Sequence, residues 1–133
     1  MGRKYLEDIG ITDRPDMWNT WELHDEKEKE WEEMREIYGF DERETWDIRT
    51  SFHLWLYERL KMFLEVCNFG LDDDNLTFNF YDKRYTLRQM INMALERLEF
   101  SFSSEYDNSD LKQYSYVADI ERIFEIIISC LWW

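Results

Sequence analysis

Few side chains here have the type and spacing that perform chemistry. The two histidines, His24 and His53, belong to no His-Glu-x-x-His or other metal-ligand spacing. Cys67 and Cys130 sit in apolar helical contexts. They read as reduced core thiols, with a single buried disulfide as the alternative. No Gly-x-Ser-x-Gly elbow and no supported Cys–His arrangement is present, so nucleophilic catalysis lacks a scaffold. The expectation is therefore a protein with no catalytic residues, no metal and no cofactor, and not an enzyme. Asp72-Asp73-Asp74 has the ligand type for a hard cation, but the EF-hand pattern fails because Leu76 follows and no glycine does. These acids read as a solvated loop. Lys83, Arg84 and Arg88 flank an expected helix start at Leu87. Three cations beside unpaired backbone N–H groups make them the one candidate anion site. No glycine-rich loop accompanies them, so a nucleotide-binding fold is unsupported.

Charge is the stronger signal. Sixteen Lys and Arg against 30 Asp and Glu give 16 − 30 = −14. Residues 1–70 hold 18 acids and 10 bases, net −8, and residues 71–133 hold 12 and 6, net −6. The surplus is thus spread through the chain and is no detachable tail. Such a surface repels free DNA, RNA and acidic membranes, so none of these is expected as a direct ligand. It suits a basic partner. Rows of carboxylates on a folded body imitate a phosphate backbone, and the acids expected to do so are Asp25, Glu26, Glu32, Glu33 and Glu36, with Asp72, Asp73 and Asp74. The bland alternative is an acidic protein whose charge serves solubility.

The elements that must position these residues are helical. Only 4 glycines and 1 proline leave little room for the turns of an all-β fold, and 44% hydrophobic residues with 18% aromatics supply a core. The chain reads as mainly α: a compact bundle of four to five helices with a short strand or hairpin near 76–81, forming a single acidic domain over 1–133. Residues 1–22, interrupted by Pro15, read as an irregular lead-in packed on the body through Trp18 and Trp21. A first helix is expected over Asp25–Tyr38, with Lys27, Trp31, Met34 and Tyr38 on one face, Lys29 the only relief among the outward acids and Gly39 as terminator. His24 would then precede it. Asp41 and Glu44 resemble a capping box. Asp47 should cap the longest helix, whose apolar stripe is Ile48, Phe52, Trp55, Leu56, Leu60, Phe63 and Cys67, closed by Gly70. Leu76, Phe78 and Phe80 alternate as a strand without an identifiable partner. Thr86-Leu87-Arg88-Gln89 matches a capping box. The helix after it lines Leu87, Ile91, Ala94, Leu95, Leu98 and Phe102 on one face. A last helix from Asp110 to Leu131, apolar nearly all round at 123–128, should be the central element. It ends in Trp132 and Trp133, which either tuck into the core or form a patch for self-association into a homodimer.

The stretch Gly39-Phe40-Asp41-Glu42-Arg43-Glu44-Thr45-Trp46-Asp47, followed by Trp55-Leu56-Tyr57-Glu58-Arg59-Leu60-Lys61 and the later Met90-Ile91, resembles a group of small phage-encoded helical proteins. Where members of that group carry Pro, this chain has Glu58, which implies a straighter helix. The resemblance implies a phage or prophage origin and supplies no catalytic residue. Small acidic phage proteins often disable host defences, anti-CRISPR proteins among them, and that analogy shapes the functional expectation. The first reading is a non-enzymatic inhibitor in the cytoplasm of a bacterial host, binding a basic nucleic-acid-binding host protein such as a CRISPR effector through the acidic face. The second is a phage structural or assembly accessory that self-associates through Trp132 and Trp133. The third is an anti-defence protein that takes a nucleotide at Lys83, Arg84 and Arg88. No run of 18 apolar residues is present, and the start Met1-Gly2-Arg3-Lys4-Tyr5 lacks an apolar signal-peptide core, so no membrane partner is expected.

Overall fold

Helix-favouring residues dominate and turn residues are rare, and the structure is correspondingly mainly α. It is a computed structural model describing residues 3–11 and 21–132, with the backbone alone over 21–26. Among the described residues are five α-helices and one two-stranded antiparallel sheet. The chain divides into two compact units, Met1–Leu56 and Tyr57–Trp133, with the division falling inside the third helix.

In the first unit, α1 (Lys4–Glu7) is a single turn that buries Tyr5 and Leu6. The expected irregular lead-in is therefore partly helical. Pro15 and Trp18 lie outside the described residues, as does the side chain of Trp21. Helix α2 (Trp21–Tyr38) begins a turn earlier than Asp25, so His24 falls within it and not before it. On the expected face Trp31 is buried, Lys27 and Met34 are half-buried, and Tyr38 is exposed. Gly39 takes φ +85° and its N–H bonds to the Arg35 carbonyl at 2.9 Å, which ends the helix as expected of a glycine there. A 3₁₀ turn follows over Glu42–Thr45, with Asp41 as its N-cap. The Asp41 carboxylate accepts from the backbone N–H of Arg43, not Glu44, so no capping box forms.

Helix α3 (Ile48–Val66) starts on the Asp47 carboxylate, which accepts from the Thr50 N–H at 3.1 Å and the Thr50 hydroxyl at 2.8 Å. The expected stripe is rotated in part. Leu56, Leu60 and Cys67 are buried, but Ile48 and Trp55 are exposed, and His53, Leu54 and Tyr57 are buried instead. The helix stops at Val66, four residues before Gly70.

The second unit resolves the strand. β1 (Thr77–Phe80) pairs antiparallel with β2 (Lys83–Thr86), with Phe78 opposite Tyr85 and Phe80 opposite Lys83. Tyr81 and Asp82 form the two-residue connection, with φ +49° and +64°. Both central residues in the left-handed region define the primed turn that matches strand twist, a place glycine or asparagine ordinarily holds. The Tyr81 hydroxyl offsets the strain by donating to Asp119 Oδ1 at 2.8 Å and accepting from Arg122 at 2.9 Å. Tyr81→Phe keeps the ring and removes these bonds to charged groups. It should lower stability by about 1–2 kcal/mol, read as a reduced urea midpoint.

Helix α4 (Leu87–Phe102) opens on the expected capping box: the Gln89 N–H donates to Thr86 Oγ1 at 3.3 Å and the Thr86 N–H donates to Gln89 Oε1 at 2.9 Å. It buries Leu87, Met90, Ile91, Ala94, Leu95 and Leu98, whereas Phe102 is half-buried. Helix α5 (Leu111–Ile127) is capped by Asp110, which accepts from the N–H groups of Lys112 and Gln113. It ends before Leu131, because the last turn tightens to a 3₁₀ helix over Ile128–Cys130. α4 packs along α5, and β1 touches both. The core face of α5 is Val117, Ile120, Ile123 and Ile127. Glu125 and Ile128 are exposed, so α5 is amphipathic and not apolar all round.

Candidate interaction surface

Helix α2 is the densest acidic element. Its 18 residues carry eight acids and three bases, 3 − 8 = −5. Projected at about 3.6 residues per turn, Glu30, Glu32, Glu33, Glu36 and Ile37 fall on one arc of about 160°, with Lys29 inside it. All six are exposed. Glu30 pairs with Lys27 at 3.2 Å, and that hydrogen bond, followed by the charge attraction, raises the Lys27 pKa above its ordinary value. Lys27 also lies 3.8 Å from Glu42 of the following 3₁₀ turn. Among the described residues, Glu32, Glu33 and Glu36 have no ion pair and no side-chain hydrogen bond. Asp25 and Glu26 lie on the same helix, with side chains outside the described residues.

A buried charge cluster holds the end of this helix. The Asp41 carboxylate is fully buried. Its Oδ1 accepts from Arg43 N–H and Nε at 3.0 Å, and its Oδ2 accepts from Arg43 Nη2 at 2.9 Å and Arg35 Nη1 at 2.7 Å. Arg35 also reaches Glu28 at 3.1 Å. Burial alone would lower the Arg35 pKa, but the hydrogen bonds to Asp41 and Glu28 outweigh it and hold the guanidinium above its ordinary value. The Arg43 guanidinium lies 4.2 Å over the Trp31 ring, and Trp31 Nε1 donates to Glu42 at 2.8 Å. Arg35 and Asp41 thus flank and lock the segment 36–40.

That segment carries Ile37 and Phe40, which helical spacing does not single out, and Tyr38, which it places on the inward face with Trp31. Ile37 and Tyr38 are about 70% exposed (73% and 67%), and Phe40 is 47% exposed. The Tyr38 and Phe40 rings are 6.3 Å apart. The signal was available for Ile37, which lies off the Lys27-Trp31-Met34-Tyr38 face and inside the acidic arc.

The other expected acids, Asp72–Asp74, belong to the second unit and are largely engaged locally. Asp72 is gripped by Arg88 through two bonds, at 2.8 and 3.1 Å. Asp73 accepts from the Asn75 N–H at 2.8 Å. Asp74 is exposed, with no ion pair among the described residues. The same pairing bears on the candidate anion site. Arg88 faces Asp72, Arg84 Nε donates to Thr77 Oγ1 at 2.9 Å, and the first α4 amides are filled by Leu71 and Thr86. Lys83 and Arg84 are successive strand residues and point to opposite faces of the hairpin.

The Arg88 hydrogen bond is the main cause holding the Asp72 carboxyl below its ordinary value of 3.8. A lowered folded pKa means the pair's contribution is complete above the unfolded value and is lost as pH falls through the folded one. Carboxyl NMR titration should find Asp72 below the ordinary aspartate range, and Arg88→Ala should return it there.

Cys67 and Cys130 are both free thiols, and His53 is buried beside Phe52, with ring centres 6.1 Å apart. Among the described residues no group of three His, Cys, Asp or Glu side chains stands close enough to hold a metal ion, and no helix is long and apolar enough to cross a membrane. Trp132 is 70% exposed, and Trp133 lies outside the described residues. No family model matches the chain, and comparison with curated proteins and with solved structures found no match.

Proposed function

We propose that this protein is a non-enzymatic, phage-encoded inhibitor that works like an anti-CRISPR protein. It binds a basic, nucleic-acid-binding surface of a host defence protein in the bacterial cytoplasm. The phage context rests on the resemblance carried by residues 39–47 and 55–61. The observation that carries the binding mode is the row of exposed, unpaired carboxylates Glu32, Glu33 and Glu36 on α2. Five net negative charges along 18 residues give one per about 5.4 Å of helix axis, at a rise of about 1.5 Å per residue, against about 3.4 Å for one DNA strand. A groove lined by Lys and Arg for phosphates meets charge of the same sign here, at roughly two thirds of that density. Asp72 contributes little to such a row, since Arg88 already neutralises it.

Salt is the test. A partner captured from a host lysate should bind nucleic acid, and nucleic acid should compete with this protein for it. Raising salt from about 50 to 500 mM should weaken the complex by orders of magnitude. Charge reversal by Glu32→Lys, Glu33→Lys and Glu36→Lys together should abolish it. Affinity unchanged across that salt range removes the mimicry. One observation favours a second reading, a phage assembly accessory that self-associates: Trp132 and Ile128 are both exposed at the chain's end. Light scattering separates the two, because a strict monomer across a wide concentration range excludes the second.

A further inference from the structure

We infer that the segment docking on α2 is a basic peptide stretch that also carries a large apolar side chain, read jointly by the acidic arc and by Ile37, Tyr38 and Phe40. The inference rests on the binding mode proposed above and names the partner's chemistry more closely. Three observations support it. First, Ile37 is exposed inside the acidic arc beside unpaired Glu33 and Glu36, and Tyr38 and Phe40 are exposed at the same helix end, so apolar surface borders anionic surface at Ile37. A run of Lys and Arg alone complements the carboxylates and leaves these three side chains in water. Second, the patch is held in place from both sides. Arg35 within the last turn of α2 bonds to Asp41, and Gly39 turns the chain between them at φ +85°. Phe40 is therefore positioned before any partner arrives, which lowers the ordering cost of binding. Third, the charge is complementary to one sign only. An acidic or neutral apolar segment would face net repulsion or unpaired carboxylates, so the anchor must arrive on a cationic chain.

Two synthetic peptides of equal charge test this, measured by calorimetry on the full chain at 50 and 300 mM salt. One carries a Lys/Arg run followed by Leu-Trp, and the other carries the same run followed by Ser-Ser. The apolar peptide should bind about tenfold or more tightly, the return for burying one large side chain. That ratio should persist at the higher salt, because area burial is not screened. The double variant Ile37→Ser/Phe40→Ser should erase the ratio. Its circular dichroism should match the parent, since both side chains are exposed. Equal, salt-sensitive binding of the two peptides, or a ratio that survives Ile37→Ser/Phe40→Ser, overturns the apolar anchor and leaves the acidic face standing. Failure of both peptides to bind, or binding indifferent to Glu33→Gln/Glu36→Gln, overturns the acidic face itself and the inference with it.

Discussion

Asp41→Ala should destabilise the protein by about 3–5 kcal/mol, the usual cost of stranding one side of a buried ion pair. The Asp41 carboxylate is fully buried and accepts four hydrogen bonds, three from Arg43 and one from Arg35. Removing it leaves the Arg43 guanidinium, itself 4% exposed, without a counter-charge among the described residues. It also removes the N-cap of the 3₁₀ turn at Glu42–Thr45. Asp41→Asn separates these effects. The amide keeps an acceptor for the Arg43 N–H but loses the charge, so its cost should fall between wild type and Asp41→Ala. Urea unfolding followed by tryptophan fluorescence measures both, because Trp31 stacks under Arg43. An Asp41→Ala variant within about 0.5 kcal/mol of wild type would show that the cluster is not buried as described. The loss should also reach function. With Arg35 released, the Tyr38–Phe40 platform loosens, and the affinity ratio between the two peptides should shrink.

Ile123→Ala should cost about 2–5 kcal/mol, through lost transfer energy and the cavity left behind. Ile123 is fully buried on the face of α5 that packs on α4. Its neighbours on that face, Ile120 and Ile127, are also fully buried, so the site has little freedom to collapse. Ile128→Ala is the control. That side chain is 52% exposed although it belongs to the same apolar run, and its loss should cost under about 0.5 kcal/mol. The urea midpoint should fall for Ile123→Ala with an unchanged slope. Equal effects at Ile123 and Ile128 would contradict the one-sided burial of the apolar run 123–128.

Several helix stops and caps were legible because they act over a few residues. Gly39 after Tyr38, Asp47 before Ile48 and the Thr86–Gln89 box stand where the sequence indicates, whereas α3 stops short of Gly70, α5 stops short of Leu131 and Asp41 with Glu44 forms no box. Face assignments were legible where one apolar stripe is narrow, as on α4. They failed on α3, where apolar residues occupy too many positions for periodicity to choose among them, and Ile48 and Trp55 ended outside. The hairpin was half legible. Alternation marked β1, but its partner was hidden because Tyr81 and Asp82, not Asn-Gly, take the positive-φ turn. The side chain that supports this turn is Asp119, 38 residues away.

The amino-acid order by itself determined a mainly helical chain, its principal helix boundaries and a net charge of −14. Those properties follow from backbone preferences and side-chain types within a turn or two. Only the tertiary structure decided which charges are spent and which are free. Asp72 is neutralised by Arg88 across 16 residues, and Asp41 is buried against Arg43 and Arg35, whereas Glu32, Glu33 and Glu36 remain unpaired beside an exposed Ile37. The Asp72–Arg88 pair depends on where two backbones come together, and no local pattern of residues carries that distance; the Asp41–Arg43 pair is local, and what the tertiary structure adds there is its burial.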